Sequence, residues 1–114
     1  MPLAIKDLVN VQGIRSTRGS PIFADFVPES DDVLAARLRA SGAILIGKTN
    51  VPEFGLGSHT FNPVYGRTNN PYNPARTCGG SSGGAGVALA LGMVALADGS
   101  DMMGSLRNPA AWSN

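Results

Sequence analysis

Three short apolar segments of the chain predict buried strands. Residues 2–5 are apolar and lead to Lys6 and Asp7, which is typical of a strand over residues 2–6 that ends at a polar edge. Residues 43–46 (Ala-Ile-Leu-Ile) and 94–97 (Val-Ala-Leu-Ala) carry no polar side chain. They are therefore predicted as strands of a sheet that is covered on both faces.

A helix is predicted between the first two strands. Ser30 is its candidate N-cap, Asp31 and Asp32 place negative charge in the first turn, and Gly42 ends the helix. A second helix, built from small residues, is predicted over residues 85–93. Helices that alternate with buried strands indicate an α/β fold. The apolar face and the basic end of the first helix are assigned to Val33, Leu34 and Leu38 and to Arg37 and Arg39.

Two segments between the predicted strands and helices are predicted as loops. Residues 15–27 are a mixed segment containing Gly19 and Pro21 and are predicted as a loop, and residues 50–80 are dominated by turn formers and are predicted to lack regular structure. A loop as long as the second one is usually functional when it occurs inside a domain. It ends in a glycine–serine run over residues 79–84, and a further turn over residues 99–104 leads to Ser105.

Composition and charge exclude several classes of function. A chain of 114 residues allows one domain, and a net charge of +1 gives no electrostatic reason to bind nucleic acid or an anionic membrane. One cysteine, Cys78, and one histidine, His59, exclude an internal disulfide and a zinc site. The longest uncharged apolar stretch is shorter than the ~20 residues of a membrane-spanning helix, and no signal peptide is visible. We expect a cytoplasmic protein.

A nucleotide site is the first interpretation of the motifs. Residues 42–49 match the phosphate-loop pattern G-x-x-x-x-G-K-[ST], and Asp98 ends an apolar segment that resembles a magnesium-binding strand. However, Ala-Ile-Leu-Ile prefers an extended strand to a loop, and a predicted helix precedes it. If this disfavoured interpretation holds, ATP affinity depends on Lys48.

A nucleophile elbow is the second interpretation. Residues 79–83 match the pattern G-x-S-x-G, which requires a strand before the serine and a histidine after it. Pro74 interrupts the preceding segment, and the only histidine, His59, lies upstream. The elbow is therefore disfavoured, although a truncated chain could have lost its histidine.

The third interpretation combines two serines with a lysine. Amide hydrolysis requires a nucleophile, a base and donors for an oxyanion. Ser105 stands in a small-residue turn before a predicted helix start, the glycines around Ser81 allow close backbone approach, and Lys6 could be the base if it is buried and neutral. These residues occur within segments 1–7, 38–44, 47–54, 79–84 and 101–110, over which the chain resembles the core of the amidase signature family.

The resemblance implies a role for each of these residues. Ser105 is expected to attack the amide, Ser81 to relay its proton and Lys6 to accept it, while Lys48 and the neighbouring Ser82 are not expected to be catalytic. The Gly80–Ser81 peptide bond is expected to be cis. Asp101 and Arg107 are expected to shape the nucleophile turn. The main-chain N–H groups expected to stabilise the oxyanion belong to Met102, Met103, Gly104 and Ser105, of which Met103 replaces a glycine common in the family.

The resemblance also implies an architecture and a set of partners. We expect residues 1–114 to be an internal fragment, a truncated single domain containing pieces of a mixed sheet flanked by helices, and to be inactive or unstable alone. No metal or organic cofactor, no direct nucleic-acid contact and no membrane association are expected. The expected substrate is a small-molecule linear carboxylic amide. The oligomeric state is left open. The alternatives are a glutaminase-type subunit of a tRNA-dependent amidotransferase, and a catalytically silent remnant or interaction module.

Overall fold

The computed structural model of the protein describes residues 1–113 and has a small parallel sheet with helices packed against it. None of the helices within those residues is long and apolar enough to span a membrane. The strands are β1 (Pro2–Lys6), β2 (Ile44–Thr49), β3 (Phe61–Asn62), β4 (Gly66–Arg67) and β5 (Leu96–Ala97). The helices are α1 (Val33–Ala40), α2 (Gly83–Ala90) and α3 (Arg107–Ser113).

The main sheet has the order β2-β1-β5, and all of its strand pairs are parallel. The predicted strand over residues 2–6 is confirmed as β1, and the α/β class is confirmed with it. The second predicted strand also exists, but it begins at Ile44 and continues through the glycine and lysine to Thr49. Its pairing with β1 shifts register between Leu3 and Ala4.

The two faces of β1 have different neighbours. Leu3 and Ile5 form a buried apolar cluster with Val11 and with Ala35 of α1. Successive side chains of a strand point to opposite faces, so Lys6 points to the other face. There it meets the residues that begin α2. The central strand therefore carries the core on one face and candidate chemistry on the other.

The start and the buried face of α1 differ from the prediction. The N-cap is Asp32 rather than Ser30, and the helix begins at Val33. The carboxylates of Asp31 and Asp32 accept main-chain N–H groups from the loop after β1, so they tie that loop to the helix instead of occupying its first turn. Val33 and Leu34 are exposed, and Ala35 is the fully buried residue of this helix, packed with Leu38 against the core.

The sheet is not covered on both faces within the described residues, in contrast to the prediction. Since β2 and β5 are the edges of a three-stranded sheet, their apolar side chains lack neighbours on one side. Ile44 and Ile46 are 61% and 52% exposed, and Leu96 is 45% exposed. Only Leu45 of β2 packs against the apolar cluster.

The long loop over residues 50–80 contains more structure than its composition predicts. It includes a 3₁₀ turn (Glu53–Gly55) and a hairpin formed by β3 and β4. Asn62 closes this hairpin, because its Oδ1 accepts the N–H groups of Val64 and Tyr65 at 2.9 and 2.7 Å. The side-chain amide of Asn62 donates to the Val51 carbonyl at 2.7 Å, which ties the hairpin to the segment that follows β2.

Candidate active site

Lys6 lies at the end of β1 with its amine among serine hydroxyls. The residue is 1% exposed, and its Nζ lies 2.8 Å from the Oγ atoms of Ser81, Ser82 and Ser100. A charged lysine has three N–H donors and no acceptor. The neutral amine has two donors and a lone pair, so one of three surrounding hydroxyls can then donate to it. The arrangement suits both protonation states.

Burial favours the neutral form of this amine. Desolvation lowers the pKa of Lys6 from 10.5 to about 8, while the carboxylates of Asp98 and Asp101 raise it in part. The neutral and charged forms are therefore comparably populated in mildly alkaline solution. A general base works best when its pKa lies near the working pH. Lys6 meets this condition, which an exposed lysine does not.

Ser81 and Ser82 lie in the turn that leads into α2, and both are 3% exposed. Thr60 holds this turn on both sides. The N–H and Oγ1 of Thr60 donate to the Gly79 carbonyl at 3.0 and 2.9 Å, and the same Oγ1 accepts the Gly83 N–H at 3.1 Å. The position of the serine hydroxyls is therefore fixed from both ends of the turn.

The glycines of this turn let two backbone segments come close together. The Gly80–Ser81 peptide bond is cis, as the resemblance implies. A Cβ atom at Gly84 would lie 2.3 Å from the main-chain nitrogen of Asn50, and the Gly84 N–H donates to the Asn50 carbonyl at 3.2 Å. Only glycine permits this approach, which joins the start of α2 to the end of β2.

Asp101 organises the turn that carries Ser105. Its carboxylate accepts the N–H groups of Gly104, Leu106 and Arg107 at 2.7–3.1 Å, and two nitrogens of the Arg107 guanidinium at 2.9 Å. The guanidinium holds the pKa of this carboxyl well below its usual range. The structural role expected for Asp101 and Arg107 is therefore confirmed.

The three residues expected to act together are only partly joined by side chains. Lys6 and Ser81 are in direct contact. Ser105 is joined to Ser82, the neighbour of Ser81, through its main chain, because the Ser105 carbonyl accepts the Ser82 N–H at 2.9 Å. Within residues 1–113 the structure has no hydrogen bond from the Ser105 hydroxyl to either partner. Ser105 is half-buried.

The N–H groups expected to bind an oxyanion are not all available. The Gly104 N–H already donates to Asp101 at 2.7 Å, so the expected set of four reduces to three. The N–H groups of Met102, Met103 and Ser105 have no acceptor within the described part of the chain. Met103 does not have a positive φ, so a side chain fits the backbone at this position.

No motif in the sequence indicates two residues of the candidate site. Ser100 is the third hydroxyl on Lys6, and Thr60 fixes the turn that presents Ser81. The only sequence signal for Ser100 is a hydroxyl residue directly before Asp101, within the turn that leads to the candidate nucleophile. Thr60 stands in a loop segment without a motif, so no pattern in the sequence indicates it.

Lys48 does not belong to a phosphate-binding loop. The lysine lies inside β2, where its Nζ donates to the Val9 carbonyl at 2.6 Å and to Ser16 Oγ at 2.8 Å and pairs with Asp7 at 3.2 Å. All of its donors are therefore used within the protein, and an extended strand cannot curl around a phosphate. The structure contradicts the nucleotide interpretation.

The nucleophile elbow and a metal centre also lack their components. No strand directly precedes Ser81 in the described chain, and the His59 ring lies 3.1 Å from Thr77 Oγ1. Burial raises the pKa of the Cys78 thiol, which disfavours a reactive thiolate. Within residues 1–113 no group of three His, Cys, Asp or Glu side chains could hold a metal ion.

Comparison with known proteins shows the family of the chain. A family model described as Amidase matches residues 1–114. The chain belongs to the amidase family. Among the relatives of this amidase-family chain, a glutamyl-tRNA(Gln) amidotransferase subunit of Saccharolobus solfataricus is 49% identical over 111 residues, which cover 97% of the chain and 23% of the relative. The same subunit of Alkaliphilus metalliredigens is 48% identical over 112 residues, which cover 98% of the chain and 23% of the relative.

Solved structures give the same family and fold. The corresponding amidotransferase subunit of Thermotoga maritima superposes with a TM-score of 0.91 at 39% identity, over 96% of this chain and 24% of that one. The 6-aminohexanoate cyclic dimer hydrolase complexed with substrate superposes with a TM-score of 0.91 at 38% identity, over 96% of this chain and 23% of that one. The amidase-family chain thus spans about a quarter of the length of the proteins it matches.

Proposed function

We propose that the protein hydrolyses a carboxylic amide, with Ser105 as nucleophile, Ser81 as proton relay and Lys6 as base. The observation that carries the proposal is the buried Lys6 amine, 2.8 Å from Ser81 Oγ and with a pKa lowered to about 8. A lysine in this state can accept a proton from a hydroxyl, and the amidase family supplies the reaction class. Residues 1–114 would provide all three groups from one domain.

The hydroxyl hydrogen bonds favour Ser81 over Ser82 as the relay. Ser82 Oγ donates to the Ser100 carbonyl at 3.2 Å and accepts the Ser100 N–H at 3.3 Å, so its proton is already engaged. The only hydrogen bond of the Ser81 hydroxyl within the described residues joins it to Lys6. Ser81 can therefore donate to the neutral amine and accept a proton from a second hydroxyl at the same time.

The reaction then has two halves. Ser105 Oγ forms a bond to the amide carbon as its proton moves to Ser81 and the Ser81 proton moves to Lys6. The N–H groups of Met102, Met103 and Ser105 stabilise the oxyanion. The carbon–nitrogen bond breaks as the proton returns through Ser81 to the leaving amine, and an ester remains on Ser105. Water then attacks that ester by the same proton route, which releases the acid and restores the hydroxyl.

Substitution of the nucleophile tests the proposal. In the complete gene product, Ser105→Ala should lower kcat/KM for amide hydrolysis by at least ~10³-fold, the order of loss seen when a serine nucleophile is removed. Ser30→Ala is the matched control, since this serine is exposed and has no hydrogen-bond partner in the described structure, and it should leave the rate unchanged. Unchanged turnover in Ser105→Ala would eliminate the assignment.

A glutaminase role within an amidotransferase is the second candidate function. The observation that favours it is the 47–49% identity to glutamyl-tRNA(Gln) amidotransferase subunits from several organisms. Such a protein should release ammonia from L-glutamine, and the rate should rise when partner subunits are added. The comparison to make is kcat/KM for L-glutamine against a simple aliphatic amide. Preference for the simple amide, unaffected by partners, supports the general amidase instead.

A further inference from the structure

Asp98 contacts the end of β1, where Lys6 is the last residue of the strand. Asp98 follows β5, and its N–H donates to the Ala4 carbonyl at 3.1 Å. The carboxylate of Asp98 accepts the main-chain N–H of Lys6. In a regular parallel ladder a main-chain carbonyl of the neighbouring strand accepts this N–H. Here the side chain takes that position, while the main chain continues toward Ser100.

The same short segment contacts the other end of Lys6. Ser100 Oγ accepts a hydrogen bond from Lys6 Nζ at 2.8 Å. The main chain of Ser100 binds Ser82 Oγ through both its N–H and its carbonyl. Residues 98–100 therefore hold the lysine at its backbone and at its amine, and they join it to the turn before α2.

The charged groups around Lys6 come from two sides. Asp98 and Asp101 lie in the segment after β5, and both favour the charged amine. From β2, Lys48 carries a positive charge that is paired with Asp7. The turn before α2 contributes only uncharged hydroxyls. Burial raises the pKa of Asp98, whereas its hydrogen bond from the Lys6 N–H and the two lysine charges lower it.

We infer that Asp98 is a positioning residue for the Lys6 base: its carboxylate fixes the lysine main chain, and its charge stabilises the amine while it holds the proton. The inference rests on the proposed function, in which Lys6 is the base. A buried ammonium without a counter-charge is costly. Because Asp98 binds the main-chain N–H rather than Nζ, it supplies this charge and leaves the amine free to exchange protons with hydroxyls.

Two substitutions of Asp98 separate its hydrogen bond from its charge. Asp98→Asn keeps an oxygen that can accept the Lys6 N–H but removes the charge, whereas Asp98→Ala removes both. Asp25→Asn is the control, because Asp25 is exposed and has no hydrogen-bond partner in the described chain. Each variant of the complete gene product is measured twice: kcat/KM for an amide against pH, and the titration of Lys6 by NMR of ¹³Cε-labelled lysine.

Removal of the Asp98 charge should lower the pKa of Lys6. Without the Asp98 carboxylate the protonated amine is less stable, so in both Asp98 variants the Lys6 titration should move to lower pH, by roughly one unit for a nearby opposite charge. The acidic limb of kcat/KM should move with it. Asp98→Asn should keep kcat within about tenfold of the unsubstituted protein, and Asp98→Ala should lose more because the main-chain anchor is gone. Asp25→Asn should change neither readout.

The possible outcomes distinguish the positioning role of Asp98 from the proposed role of Lys6 as the base. A Lys6 titration that stays in place in folded Asp98→Asn overturns the inference, whatever the activity does. A Lys6 titration that moves while the limb of kcat/KM stays in place shows that Lys6 is not the base, which contradicts the proposed function and with it the positioning role. If Asp98→Ala fails to fold, Asp98→Asn carries the test alone, because it retains the hydrogen-bond acceptor. Circular dichroism verifies the fold of each variant.

Discussion

The Lys6 amine has three hydroxyl partners and a pKa lowered to about 8 by burial, so its charge changes within the range of ordinary assays. Only the neutral form can accept a proton. Lysine gains a proton as pH falls, which means that the base is lost below its pKa. The chemistry at this one residue therefore dictates how activity depends on pH.

Activity should rise with pH through the titration of Lys6. We expect kcat/KM for amide hydrolysis to increase up to a plateau, with an acidic limb centred at about 8, the value to which burial lowers the pKa of Lys6. Lys6→Arg should lower the plateau by ~10²–10⁴-fold, because an arginine does not become neutral and general-base catalysis is lost. A pH–rate profile of the purified protein checks both. A flat profile across the titration range of Lys6 would contradict the assignment of the base.

The neighbouring serines should respond differently to substitution. Both hydroxyls lie 2.8 Å from Lys6 Nζ, but only Ser82 is bonded to Ser100 as well. Ser81→Ala removes the relay and should lower kcat by ~10²-fold or more. Ser82→Ala removes one anchor of the Ser100 segment and should cost less. Steady-state kinetics of the two variants measures the difference, and a larger loss of kcat in Ser82→Ala would reverse the assignment.

Between elements, a buried ion pair joins β1 to β2. Lys48 of β2 pairs with Asp7, which is 1% exposed and follows β1 directly. Lys48→Met should destabilise the protein by ~3–5 kcal/mol, because the buried Asp7 carboxylate then has no counter-charge and, within the described residues, keeps only its hydrogen bonds from Thr17. Adding Asp7→Asn should recover much of the loss. Urea unfolding of the single and double variants tests this, and an unchanged stability in Lys48→Met would show that the pair contributes nothing.

The contact between α2 and the end of β2 requires a glycine at position 84, because a side chain there would collide with the main chain of Asn50. Gly84→Ala places a Cβ atom 2.3 Å from the Asn50 main-chain nitrogen, so the two elements must separate. We expect a loss of about 3 kcal/mol, as for overpacked sites. Gly47→Ala is the control, since a Cβ there meets nothing within 4 Å. Thermal unfolding of both variants checks the prediction. Equal stability of Gly84→Ala and Gly47→Ala would show that the two segments can separate at little cost.

Local patterns predict some elements well and others poorly. The strand over residues 2–6 follows from an unbroken apolar run, and the end of α1 follows from Gly42, whose φ of +85° suits glycine. The start of α1 is predicted at the wrong residue because Asp31 and Asp32 bind a distant loop, and such long-range contacts leave no local signal. At the candidate site, the contact between Lys6 and Ser81 follows the expectation from the sequence, whereas Thr60 contributes through tertiary geometry alone.

For the molecule as a whole, apolar exposure is the main physical feature. Met102, Met103, Leu56 and Ile22 are each more than three-quarters exposed, while the buried apolar residues of the described chain are few and mostly small. Within the described residues more large apolar side chains are exposed than buried, so hydrophobic burial contributes little to the stability of the fold. The chain also spans only about a quarter of the length of its relatives. We therefore expect the 114-residue chain to have only marginal folding stability when it is alone.

A polypeptide of this sequence alone should therefore behave as a weakly folded protein. We expect residues 1–114 to bind a hydrophobic dye, to self-associate and to hydrolyse amides too slowly to detect. Dye fluorescence, sedimentation and an amide assay measure the three properties. A monomeric sample that unfolds cooperatively and turns over an aryl amide would overturn this expectation, and it would show that the described residues are sufficient for the site.

Covalent labelling of the nucleophile measures the serine reactivity on which the proposed function depends. The complete gene product is treated with a sulfonyl fluoride, which reacts with activated serine hydroxyls, and the modified residue is located by peptide mass spectrometry. We predict that Ser105 is the one modified residue, that its rate of modification rises with pH as Lys6 becomes neutral, and that Ser105→Ala is not labelled. Modification of Ser81 or Ser82 instead, or labelling that persists in Ser105→Ala, would show that Ser105 is not the nucleophile.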